Sequence, residues 1–511
     1  MKTMKSVVFA IVLGLTVTAC SAANEDNDAA DANYAPAASA SSNSKAKADS
    51  SSAEKPASRQ SATPYEGMTF EDYGTHPFVT TEEDHLSTFA MDVDTGSYTM
   101  ARSFIQKGDL PPQEAVRLEE FINYFDLSYA PPKKDTFAIH VDAGPAPLGN
   151  EELKLVRIGI KGKEIESDER KRANLTFVID VSGSMDRDNR IGLVKRSLKM
   201  LVNQLEPTDR IGIVVYGSTA RTVLKPTSVE DEDAILDAID GLQIEGATNA
   251  EAGLLEGYQM ASKLFEKDAI NRVILCSDGV ANVGKTGPED ILDTVQDYAG
   301  QSIYLSTFGF GMDNYNDVLM EQLADKGNGT YAYIDDIDES RKVFREQLTS
   351  TLQTIAKDAK IQVDFDPDQV SQYRLLGYEN RAIADEDFRN NRVDGGEIGA
   401  GHTVTALYEV QLKKSAGDKP LGTVTIRYKD VDEKNRSKEI SETIHLSRDL
   451  SDETEFIASV AEFAEIMKSR EGNETERLQD VLKLARRTAS TERQDEFTDL
   501  VESAIEISEQ M

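Results

Sequence analysis

Asp180, Ser182 and Ser184 stand on alternate residues directly after the apolar run Leu175-Thr176-Phe177-Val178-Ile179. A carboxylate followed by two hydroxyls at that spacing offers hard oxygen donors, the ligand type that Mg²⁺, Mn²⁺ and Ca²⁺ prefer. Thr248, within Gly246-Ala247-Thr248-Asn249, adds a hydroxyl where a helical stretch opens, and Asp278 adds a second carboxylate after the apolar run Val273-Ile274-Leu275-Cys276-Ser277. Mg²⁺ takes near-octahedral geometry at about 2.0–2.1 Å and keeps several waters. Neutral hydroxyls leave such an ion under-neutralised, so it draws an anion from outside. An isolated Asp-x-Ser-x-Ser is more often a loop that caps the free amides of the next helix. The addition of Thr248 and Asp278 shifts the balance to a metal.

These residues need elements that bring them to one place. Helices are expected near Arg190 to Leu205, Val229 to Leu242, Ala250 to Phe265, Pro288 to Tyr298 and Tyr315 to Asp325. They alternate with strands at Arg210 to Tyr216, Arg272 to Ser277, Gln301 to Phe308 and Thr330 to Ile334. Such alternation predicts an α/β fold with a doubly wound, mostly parallel sheet, and the candidate ligands then fall at the carboxyl ends of its strands.

The order Asp-x-Ser-x-Ser, Thr, Asp, each at its place on the fold, resembles the metal-ion-dependent adhesion site of von Willebrand factor type A domains. The resemblance covers residues 172–356 and includes Gly309-Phe310-Gly311 and Gly327-Asn328-Gly329-Thr330-Tyr331. It implies that Ser182 and Ser184 ligate a divalent cation directly, with Thr248, Asp180 and Asp278 binding it directly or through water. It further implies an open coordination position filled by a carboxylate of a protein or peptide partner. Mg²⁺ is the expected ion, and Mn²⁺ or Ca²⁺ would also suit the donors.

The amino terminus carries a different kind of information. Lys2 and Lys5 precede the apolar run Val7 to Val17, too short for a permanent membrane span but suited to a signal peptide over residues 1–19. Val17-Thr18-Ala19-Cys20 resembles a bacterial lipobox, which implies cleavage before Cys20 and lipid attached to it. Multiple acyl chains on one residue give stable membrane attachment, at about 0.8 kcal/mol per buried CH₂. Ser21, rather than Asp, follows Cys20 and by the sorting rules of enterobacteria implies the outer membrane, given a Gram-negative source. Residues 20–63 are Ala, Ser, Asn, Asp and Lys with almost no large apolar residue, which predicts a disordered tether. Cys276, the other cysteine, lies in an apolar strand and reads as a small core residue, so no disulfide is expected.

Between tether and central domain, residues 64–135 are expected to form a helical extension, with Val116, Leu118, Phe121, Ile122 and Phe125 on one face. Within it, Asp92 and Asp94 favour an Asx turn over a further cation site. Alternating strands follow in residues 136–171, at Phe137 to Val141 and Leu153 to Ile160. More such strands occupy residues 357–450, at Lys360 to Phe365, Tyr373 to Tyr378, Thr403 to Leu412, Leu421 to Tyr428 and Glu439 to Leu446. Isolated hairpins are marginal in water. The two groups are therefore predicted to form one flanking β-sandwich into which the α/β domain is inserted. Residues 451–511 carry helical spacing at Phe456, Ile457, Val460, Phe463 and Ile466 and again at Leu478 to Leu484, which predicts a packed helical cap. The extension and the region from Tyr373 to Glu409 resemble those of a group of bacterial type A domain lipoproteins.

Charge and missing motifs remove several function classes. The formal net charge of −35 opposes nucleic-acid binding and electrostatic attraction to anionic lipid. Five scattered histidines leave no HExxH or zinc spacing. Gly279 to Thr286 satisfies the P-loop pattern, yet Gly287-Pro288 separates Lys285-Thr286 from the expected helix start, so nucleotide binding is not expected. Two readings compete with adhesion. A metal-dependent hydrolase would need a general base that the motif does not supply. A structural envelope protein would carry a metal it does not need. The expected protein is a non-enzymatic, exported binding protein, lipid-anchored at a bacterial membrane.

Overall fold

The computed structural model describes residues 67–510, apart from 92–93, 151, 167–168, 280–287, 313–314, 432–435, 471 and 473. The signal peptide, Cys20 and the tether predicted over 20–63 lie outside the described residues, as do Asp92 and most of the P-loop-like segment. No helix among the described residues is long and apolar enough to cross a membrane.

The central domain is built on β5 (Ala173–Asp180), β6 (Arg210–Tyr216), β7 (Ala220–Ser228), β8 (Ile270–Ser277), β9 (Tyr304–Gly309) and β10 (Tyr331–Tyr333). They form a sheet of order β10-β9-β8-β5-β6-β7. Every pairing is parallel except the antiparallel edge of β7 on β6. β5 and β8 are buried along their whole length, because a parallel strand covered on both faces has no solvent side to make polar. β7 is an addition to the predicted set. Its sequence, with Pro226 and a half-exposed profile, suits an edge strand and lacks the continuous apolar run of the inner strands.

One face of this sheet is covered by α3 (Arg190–Val202), α4 (Glu232–Asp240) and the closing segment of α8 (Ile337–Arg341) and α9 (Leu348–Leu352), through Leu198, Ile235 and Phe344. The other face is covered by α5 (Ala250–Leu264), α6 (Pro288–Gly300) and α7 (Asp317–Lys326), through Leu254, Val295 and Leu323. That second core also takes Met100 and Phe104 from α1 (Gly96–Gln106), a helix far upstream in the chain.

On either side of the inserted domain the chain supplies β1 (Val79–Thr80), β2 (Leu86–Ala90), β3 (Phe137–Pro145) and β4 (Leu153–Gly162), then β11 (Thr354–Phe365), β12 (Val370–Leu376), β13 (Ile398–Gly399), β14 (Thr403–Leu412), β15 (Gly422–Asp430) and β16 (Arg436–Ile444). One sheet runs β1-β12-β14-β4-β3 and the other β13-β11-β15-β16, with β2 also on β11. Val156 pairs with Tyr408 and Ile160 with Val404, so strands before and after the insertion share a sheet as predicted. Val156, Ile158, Ile361, Val363, Val404 and Val424 meet between the sheets in one core, the mark of a sandwich. The extension predicted as helical over 64–135 also contributes strands. β2 takes β11 as partner from about 270 residues away, and a five-residue alternation between polar stretches carries little local signal.

Helices α2 (Leu118–Tyr124), α10 (Asp452–Ser469), α11 (Glu474–Thr488) and α12 (Glu492–Ser508) share a further core with α1. Phe125, Phe456, Phe463 and Phe497 meet edge to face there, with ring centroids 5.2–5.6 Å apart. Asp94, expected in a local Asx turn, accepts long-range hydrogen bonds from the Tyr331 amide at 2.8 Å and from Arg381 at 3.3 Å. The carboxylate joins three distant segments, a role that sequence spacing does not encode.

Candidate metal centre

The candidate ligands converge where β5 and β8 end. Asp180, the last residue of β5, is fully buried, since the strand it terminates is covered on both faces. Its Oδ1 accepts from the Ser182 amide at 2.7 Å, and its Oδ2 from the Ser277 hydroxyl at 3.1 Å. These bonds turn the chain sharply after the strand and bring the Ser182 and Ser184 hydroxyls to 3.0 Å from each other. Ser182 is buried and Ser184 half-buried, so the pair spans from interior to rim.

Thr248 reaches the same rim through backbone ties. The Gly183 amide donates to the Gly246 carbonyl at 3.1 Å, and the Asn249 amide to the Gly217 carbonyl at 2.9 Å. Gly246 has φ +60 and lies against Ser218, where a Cβ would overlap the hydroxyl, so this crossing of two loops requires glycine. Asn249 then caps α5 by accepting from the Ala252 amide. Thr248 is half-buried beside these ties.

Asp278 is buried just past β8 and accepts from Arg190 Nη1 at 2.7 Å through Oδ2. Arg190 opens α3, and the same nitrogen lies 3.3 Å from the Ser184 carbonyl. Its side chain packs on Gly311, at φ +87, where a Cβ would overlap the guanidinium. The sequence reading missed Arg190, although one signal was available: a basic residue at the first position of a helix sits against the positive end of the dipole and needs a local reason. Ser277 and Tyr216 were missed as well. The Tyr216 ring is buried beside Asp180, and burial followed by the Asp180 charge drives its hydroxyl pKa up.

The electrostatics test whether a cation fits. Burial and the neighbouring Asp278 charge push the Asp180 carboxyl up to about 6, against the hydrogen bonds from Ser182 and Ser277. Two buried carboxylates with one compensating arginine leave a negative excess that a hard cation would offset. Among the described residues no group of three or more His, Cys, Asp or Glu could hold a metal. Any ion here would therefore lean on the serine and threonine hydroxyls, and the donor set is all oxygen. It fits Mg²⁺, Mn²⁺ or Ca²⁺ and not a soft metal. Cys276, one residue before Ser277, is a buried free thiol whose pKa burial raises, as expected of a core residue.

At the P-loop-like segment, α6 begins at Pro288. Lys285 and Thr286 lie outside the described residues.

Residues 174–350 match the von Willebrand factor type A domain family. The chain contains a von Willebrand factor type A domain. Residues 64–157 match a family described as von Willebrand factor, and residues 350–507 match one described as uncharacterized protein YfbK, C-terminal. Uncharacterized protein YfbK of Escherichia coli (strain K12) is 42% identical over 360 residues, which cover 68% of this chain and 62% of that protein. Inter-alpha-trypsin inhibitor heavy chain H3 of Homo sapiens is 26% identical over 261 residues, covering 47% of this chain and 29% of that protein. Thus the chain spans less than two thirds of the length of these relatives. A solved type A structure from Catenulispora acidiphila covers 71% of this chain and 88% of its own, at 19% identity and a TM-score of 0.41. This is a YfbK-like type A domain protein with extensions on both sides of the domain.

Proposed function

We propose that this protein is a non-enzymatic binding protein whose type A domain holds a divalent cation, Mg²⁺ by preference, at Asp180, Ser182, Ser184, Thr248 and Asp278. The cation grips a carboxylate on a protein or peptide partner. The observation that carries this reading is the pair of hydroxyls 3.0 Å apart, running from a buried carboxylate to the rim of the sheet. An ion held by such donors keeps excess positive charge and faces outward. Both carboxylates are already engaged, Asp180 by Ser182 and Ser277 and Asp278 by Arg190, so neither is poised as a general base. This favours binding over hydrolysis.

The lipobox-like Val17 to Cys20 supports attachment to a bacterial membrane through lipid on Cys20, at the outer membrane in a Gram-negative cell. The net charge of −35 makes a basic partner carrying one exposed Asp or Glu the easier match.

The test is capture from an envelope extract with protein lacking residues 1–20, in Mg²⁺, in EDTA and with Asp180→Ala. A partner retained only with metal and intact Asp180 supports the proposal. Capture indifferent to both would refute it and assign recognition to the sandwich or helical cap. Capture that strengthens with rising salt would sink the basic-partner expectation.

A further inference from the structure

Arg190 places a buried positive charge against the candidate metal centre, and the charge count of the site gives it a role. Asp180 and Asp278 contribute two negative charges, and Arg190, only 4% exposed and bonded to Asp278 Oδ2 at 2.7 Å, returns one positive. These three buried groups together therefore carry a single net negative charge. A divalent cation raises it to +1, and a carboxylate from outside then brings it to zero. Without Arg190 the same count would be neutral with metal alone and negative once a carboxylate arrived.

We infer that Arg190 is a positioning and specificity residue that makes the complex of site, cation and external carboxylate, rather than site and cation alone, the electroneutral state. This inference rests on the proposed metal-dependent adhesion. Several features distinguish the arrangement from an incidental ion pair. Arg190 spans Asp278 and the Ser184 carbonyl, so it touches both the second carboxylate and the loop that carries the hydroxyls. Gly311 leaves room for its guanidinium at a backbone conformation that only glycine adopts readily. The charge lies at the amino end of α3, where the helix dipole adds to its positive potential instead of cancelling it. In a buried site such a charge is weakly screened, and it acts against the bare cation and for the incoming anion.

The experiment is titration of the protein lacking residues 1–20 with Mn²⁺, followed by the paramagnetic signal of free Mn²⁺, with and without acetate as the carboxylate probe. Wild-type protein is expected to bind Mn²⁺ more tightly when acetate is present. Arg190→Gln is expected to bind Mn²⁺ alone about tenfold more tightly, as for loss of one nearby buried charge, and to lose most of the acetate enhancement. Arg190→Lys keeps the charge and should keep the enhancement. Because Arg190→Gln strands a buried carboxylate, its metal-free thermal melt is compared with that of Arg190→Lys, and the comparison is made on folded protein. Equal acetate enhancement in wild type and Arg190→Gln would overturn the inference, as would an Arg190→Lys variant that loses the enhancement. Wild-type protein that binds no Mn²⁺ under any condition would remove the metal reading itself, an outcome separable from failure of the role assigned to Arg190.

Discussion

At the residue scale, the centre divides labour between groups that shape the loop and groups that face its opening. Asp180 is held by a backbone amide and by Ser277, so the turn after β5 survives loss of a neighbouring hydroxyl. The Ser182 hydroxyl, in contrast, lies 3.0 Å from the Ser184 hydroxyl and also bonds Asp180. Ser182→Ala is therefore expected to leave the metal-free melting temperature within about 4 °C of wild type, because the lost bonds contribute only about 1 kcal/mol each. It should weaken Mn²⁺ binding by about tenfold or more, equivalent to about 1.4 kcal/mol. Mn²⁺ affinity unchanged in this variant would argue that the hydroxyl pair is a loop cap and no ligand.

At the element scale, α1 is the joint of the molecule. Met100 and Phe104 enter the core of the type A domain, while Tyr98, Ala101 and Ile105 enter the core of the helical cap. Arg102 between them bonds Asp335 at 2.6 Å and Glu339 at 3.3 Å, next to the closing helix of the type A domain. Phe104→Ala, outside the type A boundaries in sequence, should cost about 3–5 kcal/mol of stability as a large core truncation. Urea denaturation checks it, and a loss below about 1 kcal/mol would mean that α1 merely rests on the domain. Arg102→Ala should cost a similar about 3–5 kcal/mol, because it strips buried Asp335 of its arginine and leaves Glu339 with only Lys342 and the Tyr124 hydroxyl. Arg102→Met should restore little of that, since the shape returns without the charge.

At the scale of the whole molecule, the described residues from 67 to 510 form one compact unit. Charged residues buried at the junctions make its stability pH-dependent. Burial pushes the Glu465 carboxyl up to about 7, against Arg374 and Arg477 and helped by Glu409 and Glu462. A folded-state pKa raised above the ordinary value near 4.5 means that the folded protein holds the proton longer than the unfolded chain. Its contribution is thus fully present below about 4.5 and is lost as pH rises through about 7. Thermal melts between pH 4.5 and 8 should show this decline, and Glu465→Gln should flatten it while keeping the shape of the side chain. An identical slope in wild type and variant would place the proton uptake elsewhere.

Much of this protein was legible in its sequence because the relevant signals are local. Continuous apolar runs ending in Asp180 and before Asp278 identify strands buried on both faces, and alternation from Thr403 to Leu412 identifies a strand, although the helical cap also buries its second face at Leu407. The ligand types and their order are local too, as is the helical spacing from Phe456 to Ile466. Other features were decided only by tertiary structure. β2 and β7 are edge or short strands whose identity comes from their partners, and Asp94 bonds residues more than 230 positions away. The pairing of Arg190 with Asp278 joins residues 88 positions apart, so no spacing rule anticipates it. Periodicity reports which face of an element is dry; which charge meets which across the fold depends on packing, where burial makes each unpaired group costly enough to select its partner.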